Sequence, residues 1–105
     1  MTEKERKILN VLGLAHRARK LVTGDFAVET ALKNNKAALI ISAANASERT
    51  AEKYRQLAKK HNIPLLTAGD KEDLAQAVGK DGQTAVVALT DAGFVRAVTK
   101  LTANC

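Results

Sequence analysis

The chain has no tryptophan, one proline and one cysteine, and its only aromatic residues are Phe26, Tyr54 and Phe94. With so few rings, the core has to be built from Ala, Val, Leu and Ile. A surface that stacks many exposed bases on aromatic side chains is not expected. The lone thiol, Cys105, cannot close an internal disulfide, so a reducing compartment is expected. Nothing near it in sequence would activate it as a nucleophile. No stretch approaches the roughly 18 apolar residues of a membrane span. The opening MTEKERKILN has no apolar signal core. The expected location is therefore the cytoplasm, with no membrane association.

Catalytic and metal motifs are also missing. There is no G-x-x-x-x-G-K-[ST] and no G-x-G-x-x-G, so the common phosphate-cradling loops are absent. His16 and His61 are far apart and neither has a partner at ligand spacing. His61 ends a helical pattern, where it complements the dipole. Glu72 and Asp73 fall in the first turn of another, where carboxylates are stabilised without any catalytic role. No enzyme activity, cofactor or metal is expected.

What is present is an ordinary globular composition, with 46% hydrophobic and 27% charged residues in a chain of 105, one domain's worth. The net charge is +6 and it is concentrated. Residues 1–20 hold Lys4, Arg6, Lys7, Arg17, Arg19 and Lys20 against Glu3 and Glu5. Residues 41–60 hold Arg49, Lys53, Arg55, Lys59 and Lys60 against Glu48 and Glu52. A basic surface of this kind attracts polyanions, although many small soluble proteins are mildly basic.

Apolar spacing predicts a helix over 3–19, with Ile8, Val11, Leu12, Ala15 and Ala18 on one stripe. Arg6, Asn10, Gly13, Arg17 and Lys20 form a polar, basic face. Gly13 either packs against another part of this protein or lets a different backbone approach. Leu21-Val22-Thr23 reads as a short edge strand, followed by a helix over 25–33. Residues 37–43 (AALIISA) are apolar without alternation, as in a strand buried on both faces. Ser47 caps a helix over 48–61, a strand follows at 65–67, and Asp70 caps a short helix to Val78 with Gly79 at its C′ position. Thr84 to Leu89 is a second buried strand, and Asp91 opens the last helix. The alternation predicts a three-layer α/β/α sandwich on a largely parallel sheet.

Two segments are candidates for binding. Thr23-Gly24-Asp25 leads from a strand into a helix start. Gly24 is expected to take a backbone conformation that β-carbons disfavour. The free N–H groups that follow suit phosphate or base-edge acceptors. Alternatively, Asp25 caps them itself. The loop Gly79-Lys80-Asp81-Gly82-Gln83-Thr84 is polar, flexible in composition and carries one cation.

Several motifs occur together in one register. They are Gly13-Leu14-Ala15 with Arg17-Ala18-Arg19-Lys20, then Gly24, Ala37-Ala38-Leu39-Ile40-Ile41, Asn45-Ala46-Ser47 and Thr50. Ile63-Pro64, Leu74, Ala77, Gly79-Lys80 and Asp91-Ala92-Gly93-Phe94 follow. In this order they resemble the kink-turn-binding ribosomal protein family of L-seven-Ae and L-thirty-e type, in particular its bacterial YlxQ-like branch. The resemblance covers nearly the whole chain.

The resemblance implies an α/β sandwich on a mixed four-stranded sheet and a single RNA-binding domain spanning 1–105. It implies that the helix after Gly24 docks into the groove of kinked RNA. The loop Gly79–Thr84 would pack on a flipped-out base, and Lys71 would approach the RNA backbone. The implied RNA-binding set is Arg17, Lys20, Thr23, Gly24, Asp25, Phe26, Ala27, Thr30, Lys71, Gly79, Lys80, Gln83 and Thr84. The chain departs from the family pattern at Phe26, Ala27 and Thr30, which stand where other members carry Asn, Glu and Lys to read sheared G·A pairs.

The expected function is non-catalytic binding of structured RNA, kink-turn-like or ribosomal, by a monomeric ribosomal-protein-like factor. The alternatives are a protein-interaction module on the same fold without RNA binding, or a small α/β enzyme or nucleotide-binding protein.

Overall fold

Nine elements follow one another in the order the apolar pattern predicts. In the computed structural model, which describes residues 2–103, they are α1 (Glu3–Arg17), β1 (Leu21–Thr23), α2 (Asp25–Lys33), β2 (Leu39–Ser42) and α3 (Glu48–His61). They continue as β3 (Leu65–Thr67), α4 (Lys71–Ala77), β4 (Val86–Leu89) and α5 (Ala92–Ala103). Cys105 lies outside the described residues.

The four strands form one sheet in the order β1-β4-β2-β3, with β1 at an edge as expected. The sheet is mixed, as the resemblance implied. The largely parallel sheet expected from the strand–helix alternation is corrected. β2 and β3 pair in parallel, but β4 runs antiparallel to both β1 and β2. The reason lies in the connection from β3 to β4. α4 has only seven residues, about 10 Å of rise, and residues 78–85 then carry the chain back beside it. The Thr84 N–H donates to the Lys71 carbonyl at 2.9 Å, so the connection ends where α4 began. β4 therefore enters at the end of the sheet from which the other three strands leave.

The sheet separates two apolar clusters. Leu39, Ile41, Val87 and Leu89 face α1, α4 and α5, meeting Leu12, Leu74 and Val98. Ile40, Val86 and Ala88 face α2 and α3, meeting Val28, Leu32 and Tyr54. β2 and β4 are buried on both faces, which is why their sequences do not alternate. Each fully buried Leu, Ile or Val contributes about 1.5–3 kcal/mol relative to exposure. Gly13 has a structural use: a β-carbon there would lie 3.0 Å from the Ala77 carbonyl oxygen, so α1 and α4 meet backbone to backbone.

Candidate nucleic-acid interface

One end of the sheet gathers most of the candidate residues. β1, β2 and β3 all finish there and β4 starts there, so α2, α3 and α4 begin at the same end. Their N-termini carry the positive ends of three helix dipoles. α3 is capped by the Ser47 hydroxyl, which accepts from the Thr50 N–H at 3.2 Å. α4 is capped reciprocally by Asp70 and Asp73, at 2.8 and 3.0 Å. α2 differs from both, because its N-cap is Gly24, which has no side chain to offer.

Gly24 has φ 90° and ψ 162°, a region essentially reserved for glycine. Its N–H donates to the Val86 carbonyl at 3.0 Å, which ties the start of α2 to the start of β4. The expected unusual backbone conformation is thus present. Capping by Asp25 is not. Asp25 is the first helical residue, and its carboxylate turns toward α3, where it accepts from the Tyr54 hydroxyl and from Lys53 Nζ at 3.1 and 3.2 Å. No side chain caps the N–H groups of residues 25–27.

Around this start stand Thr23, the last residue of β1, and the exposed ring of Phe26, with half-buried Ala27 behind it. Exposed Thr30 donates its hydroxyl to the Phe26 carbonyl at 2.9 Å, so that donor is used within the helix. Lys71, half-buried, is held through its backbone: its N–H donates to Asn45 Oδ1 at 2.8 Å and its carbonyl accepts from Thr84. Thr84 is itself buried. Gly79, at φ 69°, ends α4 in the left-handed conformation expected of a C′ glycine. Lys80 and Gln83 are exposed and line a shallow cleft with Glu72 and Gln76.

The structure does not bring Arg17 and Lys20 to this end. Lys20 precedes β1 at its opposite end, where its carbonyl accepts from the Thr90 N–H at 2.9 Å. Four residues of extended chain put it about 13 Å from Gly24. Arg17 lies in a groove between α1 and α4, near Asn10, Gly13 and Gln76.

The basic segment 41–60 is partly neutralised. Lys53 bridges Asp25 and Glu29 at 3.1 and 2.8 Å, and Arg55 bridges Glu48 and Glu52 at 2.9 and 2.7 Å. Such surface pairs add little stability, but they reduce the charge offered to a polyanion. The hydrogen bond from Tyr54, helped by Lys53, holds the Asp25 carboxyl below its ordinary range. Burial, reinforced by Asp25, pushes the Tyr54 phenol up. Glu29 and Asp25 in turn raise Lys53. In the sequence Tyr54 is only an aromatic residue within a helical segment, with nothing that marks it as a partner of Asp25. The available signal was that a buried tyrosine hydroxyl needs a partner. Asn45, which fixes Lys71, gave no such signal beyond its place in the motif.

Among the described residues no cluster of His, Cys, Asp and Glu is arranged to hold a metal, and no helix is long and apolar enough to cross a membrane.

Known proteins are similar to this chain over most of its length. A Bacillus subtilis (strain 168) protein named RNA-binding protein YlxQ is 34% identical over 91 residues, covering 87% of this chain and 90% of its own. An Enterococcus faecium protein of the same name is 31% identical over 102 residues, covering 96% and 97%. A solved Bacillus halodurans C protein of unknown function superposes with a TM-score of 0.84 at 36% identity, covering 90% of this chain and 95% of that one. The fold is shared with a Giardia lamblia 15.5kD RNA binding protein, at TM-score 0.81 and 18% identity over 99% of this chain and 88% of that one. The description of the Ribosomal protein L7Ae/L30e/S12e/Gadd45 family matches residues 6–99, and the chain belongs to that family, its likeness lying with the bacterial YlxQ-like branch.

Proposed function

We propose that this protein binds structured RNA without catalysing a reaction, through the end of the sheet where α2 begins. The observation that carries the reading is Gly24. It starts α2 in a glycine-only conformation, and a β-carbon built there meets nothing within 4 Å, so backbone of another molecule has room to approach. The uncapped N–H groups of residues 25–27 are donors for phosphate or base-edge oxygens. Lys71, at the start of α4, belongs to the same end of the sheet, and the 79–84 loop returns to it through Thr84; together they supply cations and polar groups. The YlxQ relatives, named as RNA-binding proteins, support the same ligand class.

The preferred RNA is kinked and internally looped, of the kink-turn or ribosomal kind. A regular A-form duplex hides its major-groove edges from side chains, whereas a kink exposes them. Phe26, Ala27 and Thr30 bring no free polar reach to those edges, so main-chain donors and shape supply the fit and discrimination is modest. Arg17 and Lys20 act at longer range, by attraction of the polyanion. The protein works as a monomer in the cytoplasm, within a ribonucleoprotein.

The test is a titration of kinked and straight RNAs of equal charge. Tighter binding of the kinked RNA, lost in Gly24→Val, is the expected result. Equal affinity for both RNAs, with Gly24→Val binding normally, removes residues 24–30 as the RNA site. No binding to either RNA at low salt favours a protein-interaction module, a reading to which the exposed Phe26 lends weight.

A further inference from the structure

Phe26 is 83% exposed, whereas Tyr54 is fully buried and Phe94 packs against the core. A single exposed apolar side chain needs no explanation, but Phe26 does not stand alone. With Val22 of β1 and Ala27, Thr30 and Ala31 of α2 it lines a depression of about 330 Å³, and Lys36 also contributes to its wall. That volume is at the bottom of the roughly 300–1,000 Å³ range of ligand clefts and suits one planar ring system. The Thr30 hydroxyl is already bonded to the Phe26 carbonyl, so the surface offers a base little to read by hydrogen bonds.

Position selects the occupant. Phe26 is the second residue of α2, so its ring rises from the same turn as the uncapped N–H groups. Those groups select an anion. The ring and the depression select a flat apolar face, and Lys36 adds positive charge at the far side. A nucleotide whose base has left its stack presents a phosphate and a π-face together. An apolar protein segment presents only the second. The net charge of +6 also favours the polyanion.

We infer that Phe26 is a base-stacking residue: an unpaired base of the bound RNA lies on its ring over the Val22–Ala31 depression, while an adjoining phosphate meets the α2 N-terminus. This rests on the RNA-binding reading above and adds the mode of recognition. Reading by the face rather than the edge demands an unpaired base but tolerates its identity, since every base has a π-face.

The experiment uses the full chain and a hairpin RNA interrupted by an asymmetric internal loop. The unpaired nucleotides are replaced one at a time by abasic sites. Phe26→Leu and Phe26→Ala should weaken binding about 10-fold, while Phe26→Tyr retains wild-type affinity. Thermal melts should be unchanged, because the ring is exposed. One abasic substitution should weaken wild type by a similar factor and have no further effect on Phe26→Leu, the signature of a shared contact. 2-Aminopurine at that position should be quenched by wild type and not by Phe26→Leu.

If RNA binds but Phe26→Leu matches wild type, or the abasic penalties are the same in both proteins, stacking is wrong and the RNA reading survives. If wild type binds no RNA, both fall together. Self-association that depends on Phe26, with RNA affinity indifferent to it, assigns the patch to a second copy of the chain and overturns the inference.

Discussion

The phenolic hydroxyl of Tyr54, on the buried face of α3, donates a hydrogen bond to the carboxylate of Asp25, the first residue of α2. The same hydroxyl lies 3.3 Å from the Asp25 carbonyl oxygen, and Lys53 Nζ completes the junction. Asp25 is thereby held to α3 instead of folding back over its own helix end. The orientation of the uncapped α2 N-terminus is thus decided by a neighbouring helix. Tyr54→Phe keeps the ring in the core and removes only the hydroxyl. We expect a loss of about 1 kcal/mol by chemical denaturation, the size of a hydrogen bond whose acceptor stays in contact with water. An unchanged midpoint would mean the bond contributes nothing.

The same pair sets a pH dependence. Asp25 has its carboxyl lowered in the folded protein, first by the Tyr54 hydrogen bond and then by Lys53. A lowered acid stabilises the fold above its unfolded value, near 3.9 for Asp, and that contribution fades as pH falls through the folded value. The stability difference between wild type and Tyr54→Phe should therefore be full at neutral pH and shrink below about pH 4. A difference that grows on acidification would contradict this.

Gly24→Ala isolates backbone strain from crowding. A β-carbon there would meet no atom within 4 Å, yet φ is +90°. The expected cost is about 1–3 kcal/mol in folding stability. RNA affinity should also fall, because relaxing φ redirects the N–H groups of residues 25–27. Valine at this site should damage folding and binding together.

At Gly13 the balance differs, since φ is ordinary but the Ala77 carbonyl is close. Alanine would gain about 1 kcal/mol of helix propensity. Contact at 3.0 Å with rigid backbone cancels that gain. Gly13→Ala should therefore melt no higher than wild type, and Gly13→Val should lose about 1–3 kcal/mol through overpacking. A rise in melting temperature for Gly13→Ala would show that α4 yields freely.

RNA binding should weaken linearly in log affinity against log salt, with a slope of roughly −0.7 to −0.9 per phosphate contact. Lys80→Ala, in the exposed loop that leads from α4 to β4, should flatten the slope by about one such contact. Arg55→Ala should leave it unchanged, because Glu48 and Glu52 already neutralise that guanidinium. Lys20→Ala should lower affinity without removing a full contact from the slope, because Lys20 lies at the opposite end of β1 from Gly24. Salt-independent binding would rule out an electrostatic interface.

Local sequence was enough for every element whose cause is local. The unbroken apolar run at 37–43 announced a strand covered on both sides, and β2 is buried throughout. Ser47, Asp70 and Gly79 sit at the helix ends they signal, and Gly24 takes the conformation that its place between a strand and a helix requires. These features depend on neighbours within a few residues, so a linear reading reaches them. Only the tertiary structure decided the direction of β4, because alternation shows that a helix intervenes but not that the chain after it turns back. It also decided that Asp25 serves α3 rather than its own helix, through a tyrosine 29 positions away. It neutralised Lys53 and Arg55, which a count of charges treats as available. And it set Lys20 at the opposite end of β1 from Gly24: an extended strand, even one of three residues, carries its two ends apart, so closeness in sequence did not make one surface.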